Sequence, residues 1–298
     1  MPRFRFEFAQ MGCPCELVLD ADSEACAQRA ARAAVAEVAR LDHKYSHYRD
    51  DSYLAELDAA AGRGAVEVDA ETAALLDFAD ALHRESGGRF DITAGALVRL
   101  WDPRTGRLPD RGEVERARAT VGWSRAGWRE RVLELPAGMR LDLGGIVKEY
   151  AADRAADACR EHGVERGLVV LGGDIAVIGP RADGSGWRVG ISEPSSPSRA
   201  RRTVPVRHGG FATSGDYERC MVVDGRRYSH LLDVALGEPV LGYASVSVAA
   251  PSCLVAGALA TLAMLAGIED GAALLARSGM DWLALAGDGS ETGPLARA

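Results

Sequence analysis

Residues 211–230 gather side chains that suit chemistry better than packing. They read FATSGDYERCMVVDGRRYSH and set Thr213, Ser214, Asp216, Tyr217, Glu218 and Arg219 beside a small-residue turn. One histidine, His230, follows a short charged hairpin at Asp224, Gly225 and Arg226. Hydroxyls and carboxylates this close together suit the handling of an anion. A histidine takes a proton near neutral pH. A lone histidine is also a common structural residue, and this segment alone leaves both readings open.

Other segments carry a similar ambiguity. Leu141-Asp142-Leu143-Gly144-Gly145 is predicted to run from a strand into a helix bearing Lys148. The first N–H groups of a helix attract anions, and a lysine one turn in adds positive charge. The chain uses lysine only at Lys44 and Lys148, which singles the latter out. Walker A spacing is absent. A second turn, Gly172-Gly173-Asp174, reads equally as tight strand–helix packing. Phe90, Asp91 and Thr93 lie in GRFDITAG, where the two polar residues fit either a base or ribose contact or a helix N-cap. Tyr48, in the YSHY run that ends the first long helix, fits either stacking on a planar ligand or packing.

The elements that must position these groups follow from periodicity and punctuation. Alternation predicts strands at residues 3–8 and 16–19, forming a hairpin around Met11-Gly12. Helical spacing predicts helices at 23–41 with Ser23 as cap, 71–84 closed by Gly87-Gly88, 111–118, and 146–162 ended by Gly163. Residues 132–135 and 140–143 read as a strand pair. Further strands are predicted at 168–171, 187–191, 243–250 and 282–286, with helices at 252–265 and 268–277. Residues 192–202 read as an exposed Pro/Ser/Arg loop, and the tail from Gly287 as frayed. Strands and helices mix without regular βαβ alternation, so the class is α+β, and with no clear linker residues 1–298 read as a single unit or as two intimately packed subdomains.

Composition narrows the function. The 298 residues are 47% hydrophobic and 26% charged, as in ordinary globular proteins, and the formal net charge is −8. That balance argues against nucleic acid as a partner. The six cysteines show no paired zinc spacing and read as free thiols of a reducing compartment. Residues 243–268 lack charge, but Pro251 divides them into a strand and a short helix, so no membrane span is expected. No apolar h-region opens the chain. That predicts a cytoplasmic protein, or a periplasmic or membrane-attached one where a leader has been removed.

Taken in order, Met11-Gly12, YSHYRDDS at 45–52, GRFDITAGALVRLW at 88–101, LDLGGIVKEYAAD at 141–153, LGGDI at 171–175, WRVGI at 187–191, ATSGDYER at 212–219, RYSHLLD at 227–233 and ALAT at 258–261 resemble the motifs of the FAD:protein FMN transferases, the ApbE-like family. The resemblance implies a T-fold-related α+β architecture, with mixed sheets, packed helices and a flavin cleft between domains. It implies an enzyme that cleaves FAD, transfers FMN to a serine or threonine hydroxyl of an acceptor flavoprotein, and releases AMP, with magnesium assisting. In such phosphoryl transfer, positioning and charge neutralisation carry most of the catalysis. The same resemblance makes His230 the base for the target hydroxyl. It sets Tyr48 near the flavin, Asp91 and Thr93 near the adenosine half, and Gly144, Gly145 and Lys148 along the pyrophosphate. Ser214 and Asp216 fall near the flavin phosphate arm. Met11, Phe90, Gly173 and Asp233 complete the FAD-binding set, and the Gly145 carbonyl and Thr261 the metal set.

The chain departs from the family pattern at three places. The ADALAT motif carries a metal-binding aspartate four residues before its threonine, on one helix face. Here that position is Gly257. Magnesium sites usually use one or two carboxylates, so a weakened or altered site is expected. The loop DPxTGxP becomes Asp233-Val234-Ala235-Leu236-Gly237-Glu238-Pro239, and Glu149 stands where glycine is common. A carboxylate at 149 would either repel phosphate or help hold a cation. Two alternatives therefore accompany the transferase reading: a module that binds FAD with weak or no transfer, and an FAD pyrophosphatase.

Overall fold

Alternating apolar and polar residues build the first hairpin. In the computed structural model, which describes residues 1–194, 196–217 and 220–297, β1 (Arg3–Gln10) pairs antiparallel with β2 (Cys13–Asp20). Met11 and Gly12 both take positive φ, 54° and 68°, as the two-residue turn between twisted strands requires. Six strands extend this pair: β3 (Arg166–Leu171), β4 (Asp174–Gly179), β5 (Gly210–Gly215), β6 (Tyr243–Ala250), β7 (Asp281–Ala286) and β8 (Glu291–Thr292). The eight lie side by side in chain order, and every neighbouring pair is antiparallel.

Among the described residues there are eight α-helices: α1 (Glu24–Tyr45), α2 (Tyr53–Ala60), α3 (Ala70–Glu85), α4 (Gly95–Leu100), α5 (Arg111–Arg118), α6 (Val147–Glu161), α7 (Cys253–Ala266) and α8 (Ile268–Ser278). Alanines at helical spacing let α1, α6 and α7 pack closely against one face of the sheet. Ala30, Ala34, Ala151, Ala155, Ala256 and Ala260 share a core with Leu17, Leu19, Val169, Val246 and Val248. A two-stranded ribbon, Trp187–Glu193 with Ser196–Val206, covers the other face. Its Trp187, Val189, Ile191, Val204 and Val206 pack on Val18, Leu168, Val177, Phe211 and Leu283. Burial on both faces explains why β4 is buried along its whole length.

Two local devices place the helices that frame the cleft. The Asp153 carboxylate on α6 accepts the N–H groups of Cys253 and Leu254, each at 2.9 Å, at the start of α7. A Cβ on Gly210 would lie 2.2 Å from Cys253 N, so only glycine lets β5 run this close to α7. On the opposite wall, Leu97 and Trp101 hold Met221 and Leu232, which belong to two small hairpins within residues 220–239. Trp101 Nε1 donates to Gly237 O at 2.8 Å, and its ring stacks on Tyr228 at 5.9 Å.

The α+β class and most element positions match the sequence reading, and four features differ. Residues 140–143 form no strand; the strand Val132–Glu134 pairs instead with Val66–Glu67 and Gly127–Arg129. Residues 196–206 are strand and not exposed loop, because every second residue near their end meets the core; Ser195 lies outside the described residues. The tail does not fray: β8 pairs with β7, and Leu295 is buried. Gly172-Gly173 turns a β-hairpin between β3 and β4 rather than joining a strand to a helix. Among the described residues no helix is long and apolar enough to cross a membrane.

Asp153→Ala removes a cap and leaves two N–H groups unpaired in a packed interface. It is expected to destabilise the protein by about 2 kcal/mol in denaturant unfolding.

Candidate active site

The start of α6 is built to face a ligand. Asp142 Oδ1 accepts the Gly144 N–H at 2.8 Å, and His47 Nδ1 lies 3.2 Å from the same oxygen. Ile146, the residue before α6, supplies no side-chain cap; the N–H groups of Ile146 and Val147 go to the Leu143 carbonyl, and those of Lys148 and Glu149 follow at the positive end of the helix. Gly145 lies over Phe90, whose ring would be 3.1 Å from any Cβ there. Burial pushes the Asp142 carboxyl up. The His47 ring, the Gly144 N–H and the charge of His230 outweigh that effect and hold it below the ordinary carboxylate range. His230 lines the same cleft as Asp142.

A second group of oxygens lies deeper. Ser214 Oγ and Thr261 Oγ1 are 2.9 Å apart, and Thr213 Oγ1 lies 2.8 Å from Ser247 Oγ. Asp174 Oδ1 accepts the Thr213 N–H at 3.2 Å. Its Oδ2 is 2.8 Å from Lys148 Nζ, close enough for an ion pair although it makes no directed hydrogen bond. Burial, and then the Asp174 carboxylate, push Glu149 up to about 8. At the mouth, Tyr48 is 57% exposed, with its ring 3.8 Å from His47 and under the Arg104 guanidinium at 3.9 Å.

The cleft brings together Tyr48, Phe90, Asp91, Gly144, Gly145, Lys148, Ser214, His230 and Thr261. Five other residues singled out from the sequence do not line it, each for a visible reason. Met11 sits in the β1–β2 turn with its N–H on Asp42, and Gly173 sits in the β3–β4 turn. Thr93 is fully buried; its hydroxyl donates to Asp91 Oδ1 and accepts the Gly122 N–H. Asp216 pairs with Arg227 at 3.2 Å. Asp233 accepts the N–H groups of Ala235 and Leu236. Asp91 lines the cleft, but its carboxylate is committed to Thr93 and to the Trp123 N–H. Glu218 and Arg219 lie outside the described residues.

The chain is similar to known proteins along most of its length. The ApbE family model matches residues 11–284. The chain belongs to the ApbE family. A FAD:protein FMN transferase of Treponema pallidum is 36% identical over 247 residues, covering 76% of this chain and 68% of that one. The crystal structure of the Thermotoga maritima ApbE protein superposes with a TM-score of 0.91 at 29% identity, covering 98% and 97%. The apo flavinyl transferase ApbE of Pseudomonas stutzeri superposes at 0.84 and 30% identity, covering 98% and 94%.

In this ApbE-family chain, sequence reasoning assigned no role to His47, Asp142 or Trp101. A polar residue two positions before a glycine pair at a helix start was the available signal for Asp142. His47 and Trp101 gave no signal, since their partners are distant in the chain.

Asp91→Ala strips acceptors from three buried donors and is expected to cost about 3 kcal/mol in chemical unfolding. The pH dependence of Asp142 has a definite sign. A carboxyl held low in the folded state stabilises above its unfolded value of about 3.9, and that stability is lost as pH falls through the folded value. Asp142→Asn should therefore lower stability at pH ~7 by about 1 kcal/mol, and the difference from wild type should shrink below pH ~4.

Proposed function

We propose that this protein transfers the FMN half of FAD to a serine or threonine hydroxyl of an acceptor flavoprotein and releases AMP. The observation that carries the reading is that His230, Asp142 and Lys148 line one cleft at the start of α6. Relatives of this chain named FAD:protein FMN transferase support it.

The chemistry assigns each group a task. The acceptor Oγ attacks the phosphorus on the riboflavin side of the pyrophosphate, forming a phosphoester. The bond from that phosphorus to the bridging oxygen breaks, and AMP leaves with that oxygen. His230 takes the hydroxyl proton, and the Asp142 carboxylate favours the resulting imidazolium. The α6 N–H groups and Lys148 favour the pyrophosphate charge. Tyr48 offers an exposed ring for the isoalloxazine, provided that Arg104 yields its place over it.

A magnesium ion, when bound, would neutralise charge developing on the phosphate oxygens. Thr261 and the Gly145 carbonyl are hard oxygen donors of the kind it takes, and a buried carboxyl adjoins them. Reading the protein as a module that holds FAD without chemistry rests on Gly257 alone. The pyrophosphatase reading differs only in the nucleophile, with water in place of the acceptor.

The test combines FAD, magnesium and an acceptor flavoprotein, followed by a gel viewed by flavin fluorescence and chromatography of AMP. A fluorescent band is expected, and His230→Ala should weaken it by about a hundredfold or more while leaving FAD affinity within about threefold. AMP without a band would favour hydrolysis. Tight FAD binding with neither product would favour the module.

A further inference from the structure

Glu149 lines the cleft, and the transferase reading gives it no task. It lies in the first turn of α6, is 6% exposed and lines the cleft, and its Oε2 has no hydrogen-bond partner. Its carboxyl interacts with that of Asp174, and two carboxyls buried together are unfavourable when both are charged unless something positive binds them. Its other contacts say where that something would sit. A Cβ at Gly257 would lie 2.5 Å from Glu149 Cγ and 2.8 Å from Oε1. The Glu149 carboxyl therefore fills the space that a side chain at position 257 would otherwise take.

That space adjoins other hard oxygens. Positions 257 and 261 lie on the same face of α7, about 6 Å apart along its axis. Thr261 Oγ1 is there, bonded to Ser214 Oγ, and Gly145 lines the same cleft. Asp174 interacts with Glu149 and brings a second carboxyl. Among the described residues no three His, Cys, Asp or Glu side chains group into a cage. The cleft is lined by the Glu149 carboxyl, the Thr261 hydroxyl and Gly145, whose backbone carbonyl is a further hard oxygen. Magnesium and manganese accept such a set.

We propose that Glu149, reaching from α6 across the gap left by Gly257, supplies the carboxylate ligand of a divalent-cation site completed by the Thr261 hydroxyl and the Gly145 carbonyl. This deepens the transferase reading and rests on it for the role of the cation. Two departures seen in the sequence, glycine at 257 and glutamate at 149, become one exchange of a carboxylate between facing helices. The cation site is then retained rather than weakened.

The test titrates Mn²⁺ into the purified protein, with and without FAD, and reads free Mn²⁺ by electron paramagnetic resonance. Wild type is expected to bind one Mn²⁺. Glu149→Gln keeps the shape and should weaken binding by about tenfold or more. Gly257→Asp alone should also weaken it, because the new side chain collides with Glu149. Glu149→Gly combined with Gly257→Asp moves the carboxylate back to α7 and should return affinity to within about threefold of wild type. Melting curves confirm that each variant is folded. Mn²⁺ affinity of Glu149→Gln within about twofold of wild type, or no binding by wild type, overturns the proposal. The two readings fail separately. Mn²⁺ held through Glu149 with no AMP and no labelled acceptor would sink the transferase reading and leave the site standing. Labelling with Mn²⁺ binding indifferent to Glu149 would do the reverse.

Discussion

The cleft depends on one carboxylate, that of Asp153. It satisfies two of the N–H groups that the start of any helix leaves unpaired, and it does so from a different helix. That bond sets the register between α6 and α7. With 153 against 253, stepping back four residues on α6 and forward four on α7 brings Glu149 against Gly257, as observed. Just before α6 begins, Gly145 lines the cleft, as does Thr261 one turn on from Gly257. An antiparallel helix pair thus presents its contacts in steps of one turn. Burial pushes the Asp153 carboxyl up, while the two N–H groups it accepts pull it down.

Close approach is the second constraint. Gly210 lets β5 touch the start of α7, Gly257 admits Glu149, and Gly145 rests on Phe90. At none of these positions does φ call for glycine; the missing Cβ is what matters. The alanine-rich faces of α1, α6 and α7 extend the same logic to whole helices. Small side chains bring backbones near enough for Ser214 on β5 to reach Thr261 on α7. The opposite wall uses large residues instead. Trp101 pins the hairpins that carry His230.

What the sequence made legible was local. Alternation marked β1, β2 and β6, and helical spacing with Ser23 marked α1, because each is a property of neighbouring residues. The strand Ser196–Val206 was hidden by its prolines and arginines. A two-stranded ribbon tolerates these, since only Val204 and Val206 need the core. Asp91 and Thr93 looked like ligand contacts from their polarity in an apolar run. In the fold that polarity is satisfied by Trp123 and Gly122, which no local pattern could announce. Gly257 looked like a missing carboxylate because the residue beside it in space, Glu149, belongs to another helix.

The Glu149–Asp174 pair shows how such a site shapes the protein that holds it. Two carboxyls buried against each other disfavour the charged form, as the rise of Glu149 to about 8 reflects. A core chosen for stability alone would carry an apolar side chain there, with no carboxyl left unpartnered. The chain instead keeps Glu149 buried against Gly257, with the Asp153 cap one turn away. The strain is local and sits where the chemistry is proposed, as stored strain commonly does. A cation that binds only the folded state would relieve it and add its own stability through mass action. On that reading, binding and folding stability are coupled through the same two carboxyls.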